Sequence, residues 1–184
     1  MTATTGIINT TVGGLYMKAN TDSTHFNHSM LIRGSNLTTN TLYHANGNIG
    51  IGDDAMLALS SGDYNVVIGY QAGLKMTDSN NNVLLGYLAG SEIVTGNYST
   101  AIGDQSQMNI TKTGNAFNTS VGYKALKGAD SGTITGYQNT AIGAQTLEDI
   151  TTGYQNTAVG VQNLDGITTG KNNTSLGYLA GSTV

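Results

Sequence analysis

The residues of this 184-residue chain that could do chemistry are few and poorly placed to do it. All three histidines, His25, His28 and His44, lie in the first 44 residues. No Ser/His/Asp arrangement can be drawn with the rest of the chain. His25-Phe26-Asn27-His28 sets two imidazoles three residues apart, but without a neighbouring carboxylate or thiol this is a weak metal motif. Asp53 and Asp54 are adjacent and so do not form a facing acid/base pair. Glu92 and Glu148, the only glutamates, have no recurring partner. There is no cysteine, hence no disulfide and no thiolate ligand. Gly50-Ile51-Gly52 matches a fragment of a nucleotide-binding loop, but no helical pattern follows it. The reading is of a protein without catalytic, cofactor-binding or metal-binding residues.

One set of side chains has recognition chemistry. Tyr70, Tyr87, Tyr123 and Tyr178 each follow a glycine at the same point of a repeated pattern, where Asp53 and Asp104 stand in other copies. Exposed tyrosines among Asn and Thr offer an apolar ring beside hydrogen-bonding groups, which suits a sugar. The same rings could instead pack over a turn or against a neighbouring subunit.

The pattern that positions them is the organising feature of the chain. Anchoring each copy on its glycine gives Gly52, Gly69, Gly86, Gly103, Gly122, Gly143, Gly160 and Gly177, spaced 17, 17, 17, 19, 21, 17 and 17 residues. A period near 20 marks a solenoid. The residue before the glycine is always aliphatic, from Ile51 to Leu176, and two residues earlier stands a β-branched one, from Ile49 to Thr174. These two columns share one face of a short strand, and that face is expected to line the interior. Between them lie mostly small residues, such as Gly50, Ala101, Ala141 and Ser175, expected to face either the second wall of the coil or a partner chain. Asn48, Asn65, Asn82, Asn118, Asn139, Asn156 and Asn173 stand at the strand start, with Ser99 in the remaining copy. The glycines mark a turn that needs positive φ or close backbone contact. A weaker aliphatic column, Ile93, Ile134, Ile150 and Ile167, follows.

The architecture is therefore all-β, a solenoid of eight coils of about 17 residues, each with two short strands and two turns. Residues 47–184 form the repeat. Residues 1–46 form a β-rich segment, with strands expected at Val12–Lys18 and Ser29–Arg33, that caps the solenoid or attaches it to something else. The longer spacings place bulging loops at Asn109–Gly114 and Lys127–Gly132, where solenoid insertions often serve binding.

Charged residues make up only 10% of the chain and the formal net charge is −4. That leaves no basic footprint for nucleic acid. No stretch is long and apolar enough to span a bilayer. The opening residues lack the basic and apolar regions of a secretion signal. An uncharged, Asn- and Thr-rich, repetitive β surface points to an extracellular or virion structure.

Asn139-Thr-Ala-Ile-Gly143, Asn156-Thr-Ala-Val-Gly160 and Asn118-Thr-Ser-Val-Gly122 resemble the head-domain repeats of trimeric autotransporter adhesins, and resemble still more the Asn-Thr-Ala-x-Gly repeats of bacteriophage tail fibres. The resemblance covers about residues 47 to 184. It implies a left-handed parallel β-roll, three chains side by side as a homotrimer, and a structural or adhesive role in a virion. Other tail or fibre proteins would meet its ends, and a host surface glycan could be its ligand. A thin roll buries little apolar surface against the entropy of ordering its backbone, which argues for a trimer independently. Two alternatives remain, a trimeric adhesin at a bacterial cell surface and a polysaccharide-degrading tailspike.

Overall fold

In the computed structural model the described residues are 30–32, 45–111, 113–130 and 134–182. The His25–His28 motif and the strand expected at Val12–Lys18 lie outside them. All regular structure in the described residues is β. Eleven short strands follow in order: β1 Met30–Ile32, β2 Ile49–Ile51, β3 Val66–Ile68, β4 Val83–Leu85, β5 Gly96–Asn97, β6 Thr100–Ile102, β7 Gly114–Asn115, β8 Thr119–Val121, β9 Thr140–Ile142, β10 Thr157–Val159 and β11 Thr174–Leu176.

Nine of them form one parallel sheet in the order β1-β2-β3-β4-β6-β8-β9-β10-β11. The register keeps every column intact: Ile49 pairs with Val66, Val66 with Val83, and Thr140 with Thr157. The repeat is thus a stack of coils, each lying one strand spacing above the last. β1, from the segment before the repeat, adds the first rung, with Met30 opposite Ile49 and Leu31 buried. A second, shorter parallel run lies on another wall. It comprises β5 with β7, and the bridges Tyr137–Tyr154 and Tyr154–Lys171.

The interior differs from the expected one. The buried column is the middle one, Leu31, Val67, Leu84, Ala101, Ser120, Ala141 and Ala158, while the aliphatic and β-branched columns face outward. Ile68 is 38% and Ile142 40% exposed in the single chain. The cause is space. The coil is filled from its turns, by Met56, Leu59, Met76, Ile93, Ile110, Leu126, Ile134, Leu147 and Ile150, all buried. Where those side chains meet the strand wall, only a small residue fits in the later coils. The weaker aliphatic column, with Ile93, Ile134 and Ile150, is therefore core, and the stronger one is surface.

The asparagine column is also interior. Asn65 Nδ2 donates to Asn48 Oδ1 at 2.9 Å and to the carbonyl of Ser79 at 2.7 Å, and the same Asn48 Oδ1 accepts the backbone N–H of Asn65 at 2.9 Å. Asn82 repeats this on Asn65, and Asn156 on Asn139. Each amide thus ties its own coil to the one below and closes a turn of the one above. Full burial of such groups is tolerable only when their hydrogen bonds are made.

The anchor glycines hold φ between +121° and +142°, a region that side chains rarely enter. They also stack closely. A Cβ on Gly122 would lie 2.6 Å from the carbonyl oxygen of Gly143, and one on Gly86 would lie 2.6 Å from the carbonyl carbon of Gly103. The residue before each strand-start position, for instance Tyr64, Tyr98, Phe117 and Gln155, is left-handed, with φ of 57°, 58°, 50° and 56°. These bends recur in register, and N–H groups at them bond to the coil below: Tyr64 to the carbonyl of Asn46, Tyr98 to that of Asn80, Gln155 to that of Tyr137, and in the Phe117 coil the preceding Ala116 to that of Asn97.

Two predictions follow from the stack. Gly122→Ala combines backbone strain with a clash and should cost about 2–5 kcal/mol. Gly177→Ala, whose nearest contact would be Ala180 Cβ at 3.6 Å, keeps only the strain, about 1–3 kcal/mol. Urea unfolding of the two variants measures the difference. Asn82→Asp places a carboxylate oxygen against Asn65 Oδ1 and the carbonyl of Gly96, both acceptors. The folded state then favours the protonated acid, so the variant should approach wild-type stability below about pH 4 and lose it as pH rises. Thermal melts across pH check this, and equal destabilisation at pH 3 and pH 7 would contradict it.

Candidate functional site

The surface candidate is the outer strand face together with its aromatic margins. Each strand turns its first and third side chains outward, from Ile49 and Ile51 to Thr174 and Leu176, and no position of either column is charged. The face is most apolar in β2 to β4, where both columns are aliphatic, and becomes Thr plus aliphatic from β6 onward. Ile68, Val121, Ile142 and Leu176 are exposed on it.

The anchor turn places the expected tyrosines along one margin. The rings of Tyr70 and Tyr87 are stacked, with centroids 5.7 Å apart and an 11° angle between planes. This stacking turns the facing sides of the two rings toward each other, and each tyrosine is about half exposed. Tyr123 stands apart from that pair, and the ammonium of Lys124 lies 5.3 Å from its ring centroid. Tyr178, in the last coil, is 71% exposed. The structure thus brings Tyr70 and Tyr87 together, places Tyr123 two coils further on, and leaves Tyr178 at the end of the stack.

The other margin was not anticipated. Tyr98 and Phe117 stack at 5.2 Å and 10°, both about half exposed. Tyr137 and Tyr154 stack at 4.9 Å and 7°, with Lys171 Nζ 5.7 Å from the Tyr154 ring. The signal was present in the sequence, since Tyr98 to Phe117 and Tyr137 to Tyr154 are each separated by one repeat. They stand in the two columns just before the strand-start residue, where other coils carry Gly47, Tyr64, Asn81, Gln138, Gln155 and Asn172 in one and Asn46, Asp63, Asn80, Asn97, Ala116 and Lys171 in the other.

Charge is absent from the two strand columns but reaches both margins, at Asp53, Asp104 and Lys124 on one and at Asp63 and Lys171 on the other. Asn109 Nδ2 reaches the carbonyls of Gly128 and Ala129 and Oδ1 of Asp130, so the two expected insertions are tied together across coils. Lys127 bonds Asp130 at 2.5 Å and lies 4.0 Å from Glu148, which also meets Lys124 at 3.4 Å. The hydrogen bond from Lys127, with its charge, holds the Asp130 carboxyl below its ordinary range. Burial, then the charges of Asp149 and Glu148, push Asp165 up. On the N-terminal half, hydroxyls of Ser61 and Ser60 lower Asp78. No group of three metal-ligating side chains occurs among the described residues, and no helix long and apolar enough to cross a membrane occurs among them.

Comparison with protein-family models, with curated proteins and with solved structures finds no match. The fold, a β-solenoid of about eight coils, is what stands independently of any relative.

Asp165 yields a pH prediction. Its carboxyl ionises less readily folded than unfolded, so the stability associated with it is present at low pH and lost as pH rises through the carboxylate range. Asp165→Asn should raise the melting temperature at pH 7 and leave it little changed at pH 3. Scanning calorimetry at the two values is the measurement.

Proposed function

We propose that this chain is a structural and adhesive fibre protein of a virion, a bacteriophage tail-fibre segment that acts in host-cell attachment as a side-by-side homotrimer. The observation that carries this reading is the outer strand face. A row of aliphatic side chains runs along the stack without one charge, while the larger apolar turn residues fill the interior. Exposed apolar surface continuous over many coils marks an association site. Its occupants on this reading are two further copies of the same roll, packed along their length with the coils aligned. Stacks of short coils are rods by construction, and the rungs of the main sheet, at about 4.8 Å each, make one some 40 Å long. That suits a segment of a fibre, joined at its ends to other tail proteins.

The adhesive part rests on the margins. Rings set one coil apart, such as Tyr70 and Tyr87, repeat a similar weak sugar contact along the rod, and three chains multiply it. The role requires no catalysis and no cofactor. Because the surface is nearly uncharged, host binding should depend little on salt.

The test separates assembly from binding. Ile142→Asp puts a charge on the outer face and should abolish the trimer in sedimentation equilibrium, whereas Thr113→Asp, in an exposed turn, should leave it intact. Equal trimer content in the two variants would remove the outer face as the interface. Purified trimer is then competed against infecting particles on host cells at low and high ionic strength. Blocking at both supports the attachment role. A folded trimer that neither binds nor competes leaves only a shaft, and blocking lost with modest salt assigns recognition to the few charged residues instead.

A further inference from the structure

The interior of the roll is not continuous. One apolar cluster runs from Leu31 to Ala101, with Met56, Leu59, Val67, Met76, Leu84 and Ile93. A second runs from Ile110 to Leu164, with Leu126, Ile134, Leu147 and Ile150. Where they meet, the coil anchored at Gly103 and the one above it carry polar groups at three interior positions together; single polar residues recur in two of these columns further along, Thr146 and Asn163 in that of Ser106 and Ser175 in that of Ser120. Ser106 stands where Ala55, Ala72, Ala89 and Ala125 stand in other coils. Gln107 stands where Met56, Leu126, Leu147 and Leu164 do, and Ser120 where Ala101, Ala141 and Ala158 do.

These groups satisfy one another only in part. Ser106 Oγ and Ser120 Oγ are 2.5 Å apart. Gln107 Nε2 donates to the carbonyl of Thr100 at 2.8 Å and to Ser120 Oγ at 3.0 Å. Gln107 Oε1, fully buried, has no partner, and neither has Ser99 Oγ; the other such atom among the described residues, Asn163 Oδ1, lies outside this junction. Ser99 is the copy that lacks asparagine. Asn82 Oδ1 still accepts its N–H at 2.8 Å, but the serine has no amide to carry the side-chain ladder onward. The ladder begins again with Asn118, whose Oδ1 accepts the N–H of Asn139. The backbone does cross the junction, by Thr100 N–H to the Asn118 carbonyl and Gly122 N–H to the Ile102 carbonyl.

We infer that the roll is two cooperative units joined at a polar seam between Ser99 and Ser120, and that it parts there first. The apolar filling and the asparagine ladder both lapse at this junction, and besides the backbone the two coils are tied there by the Ser106–Gln107–Ser120 hydrogen bonds, the reach of Asn109 to Gly128, Ala129 and Asp130, and the Tyr98–Phe117 stack. In a repeat stack, stability is a sum of unit and neighbour-interface contributions, so a weak interface divides the array. The consequence for the molecule is an internal parting line at which one half can open while the other stays folded.

Hydrogen exchange with mass spectrometry on the full chain, across a denaturant series and beside calorimetry, tests this. Residues 45–97 and 119–176 should lose protection in two separate steps. Amides on the rungs of β6 and β8 should exchange about tenfold faster than those of neighbouring rungs. The variant Ser99→Asn/Gln107→Leu/Ser120→Ala restores the ladder and the apolar filling, and should merge the steps into one. A wild-type chain that loses both segments in one step, with equal calorimetric and van't Hoff enthalpies, overturns the inference whatever the variant does. A folded variant that keeps two steps overturns it as well.

Discussion

The rest of this structure depends on the buried asparagine amide at the start of each strand. Its oxygen takes the backbone N–H of the next asparagine, and its nitrogen gives to the carbonyl three residues before that one. A side chain that both donates and accepts in these directions is satisfied only if the chain returns to the same point one strand spacing away. The asparagine therefore sets the period. Serine can keep the backbone bond it receives but cannot pass the ladder on, and at Ser99 it does not.

The period in turn constrains the backbone. A coil of about 17 residues enclosing so narrow an interior needs sharp bends, and left-handed residues recur in the same columns to supply them. Most are not glycine. Such a backbone costs on the order of 1 kcal/mol or more at each residue, and the bonds that N–H groups in these columns make to the neighbouring coils, below at Gln71 and Tyr98 and above at Met56 and Leu147, help offset it. At every anchor position but Gly177, the last, no side chain is admitted at all, because the next coil's carbonyl occupies the place of a Cβ. Glycine there is a packing requirement between coils as much as a dihedral one.

This explains what could be read from the sequence and what could not. The coil count, the parallel register and the glycine turns were legible because each forces one residue type at a fixed interval. The sidedness of the strand was not. Period 2 says that Ile142 and Thr140 share a face, but it cannot say which face is inside. Aliphatic content pointed inward, and space decided otherwise, since Leu147 and Ile150 arrive from the turns and leave room only for Ala141. The tyrosine stack at Tyr70 and Tyr87 was legible from the repeat alone. The Tyr98–Phe117 and Tyr137–Tyr154 stacks were hidden because their columns change residue type from coil to coil. The polar seam was hidden too. Gln107 reads as one more surface amide until the turn is seen to point it into the core.

The inverted strand also bears on why the outer face has the composition it has. In an isolated roll, the outward column before each glycine would be free to carry Lys, Glu or Ser at no cost to the interior, as the turn columns do at Lys75 and Glu92. It carries Ile, Val or Leu in every coil instead. Interior packing does not demand this, because those side chains lie outside the coil. Strand propensity favours β-branched residues, but it would be met as well by Thr, which the neighbouring column uses from β6 onward. On the proposed reading this face is buried against further copies of the chain. A second copy in register would present the same column at the same spacing, so every rung would find a matching partner, and a rotation that closes at three would cover this face on every copy. On the proposed reading, the coil gives its small side chains to its own interior and its large ones to the assembly.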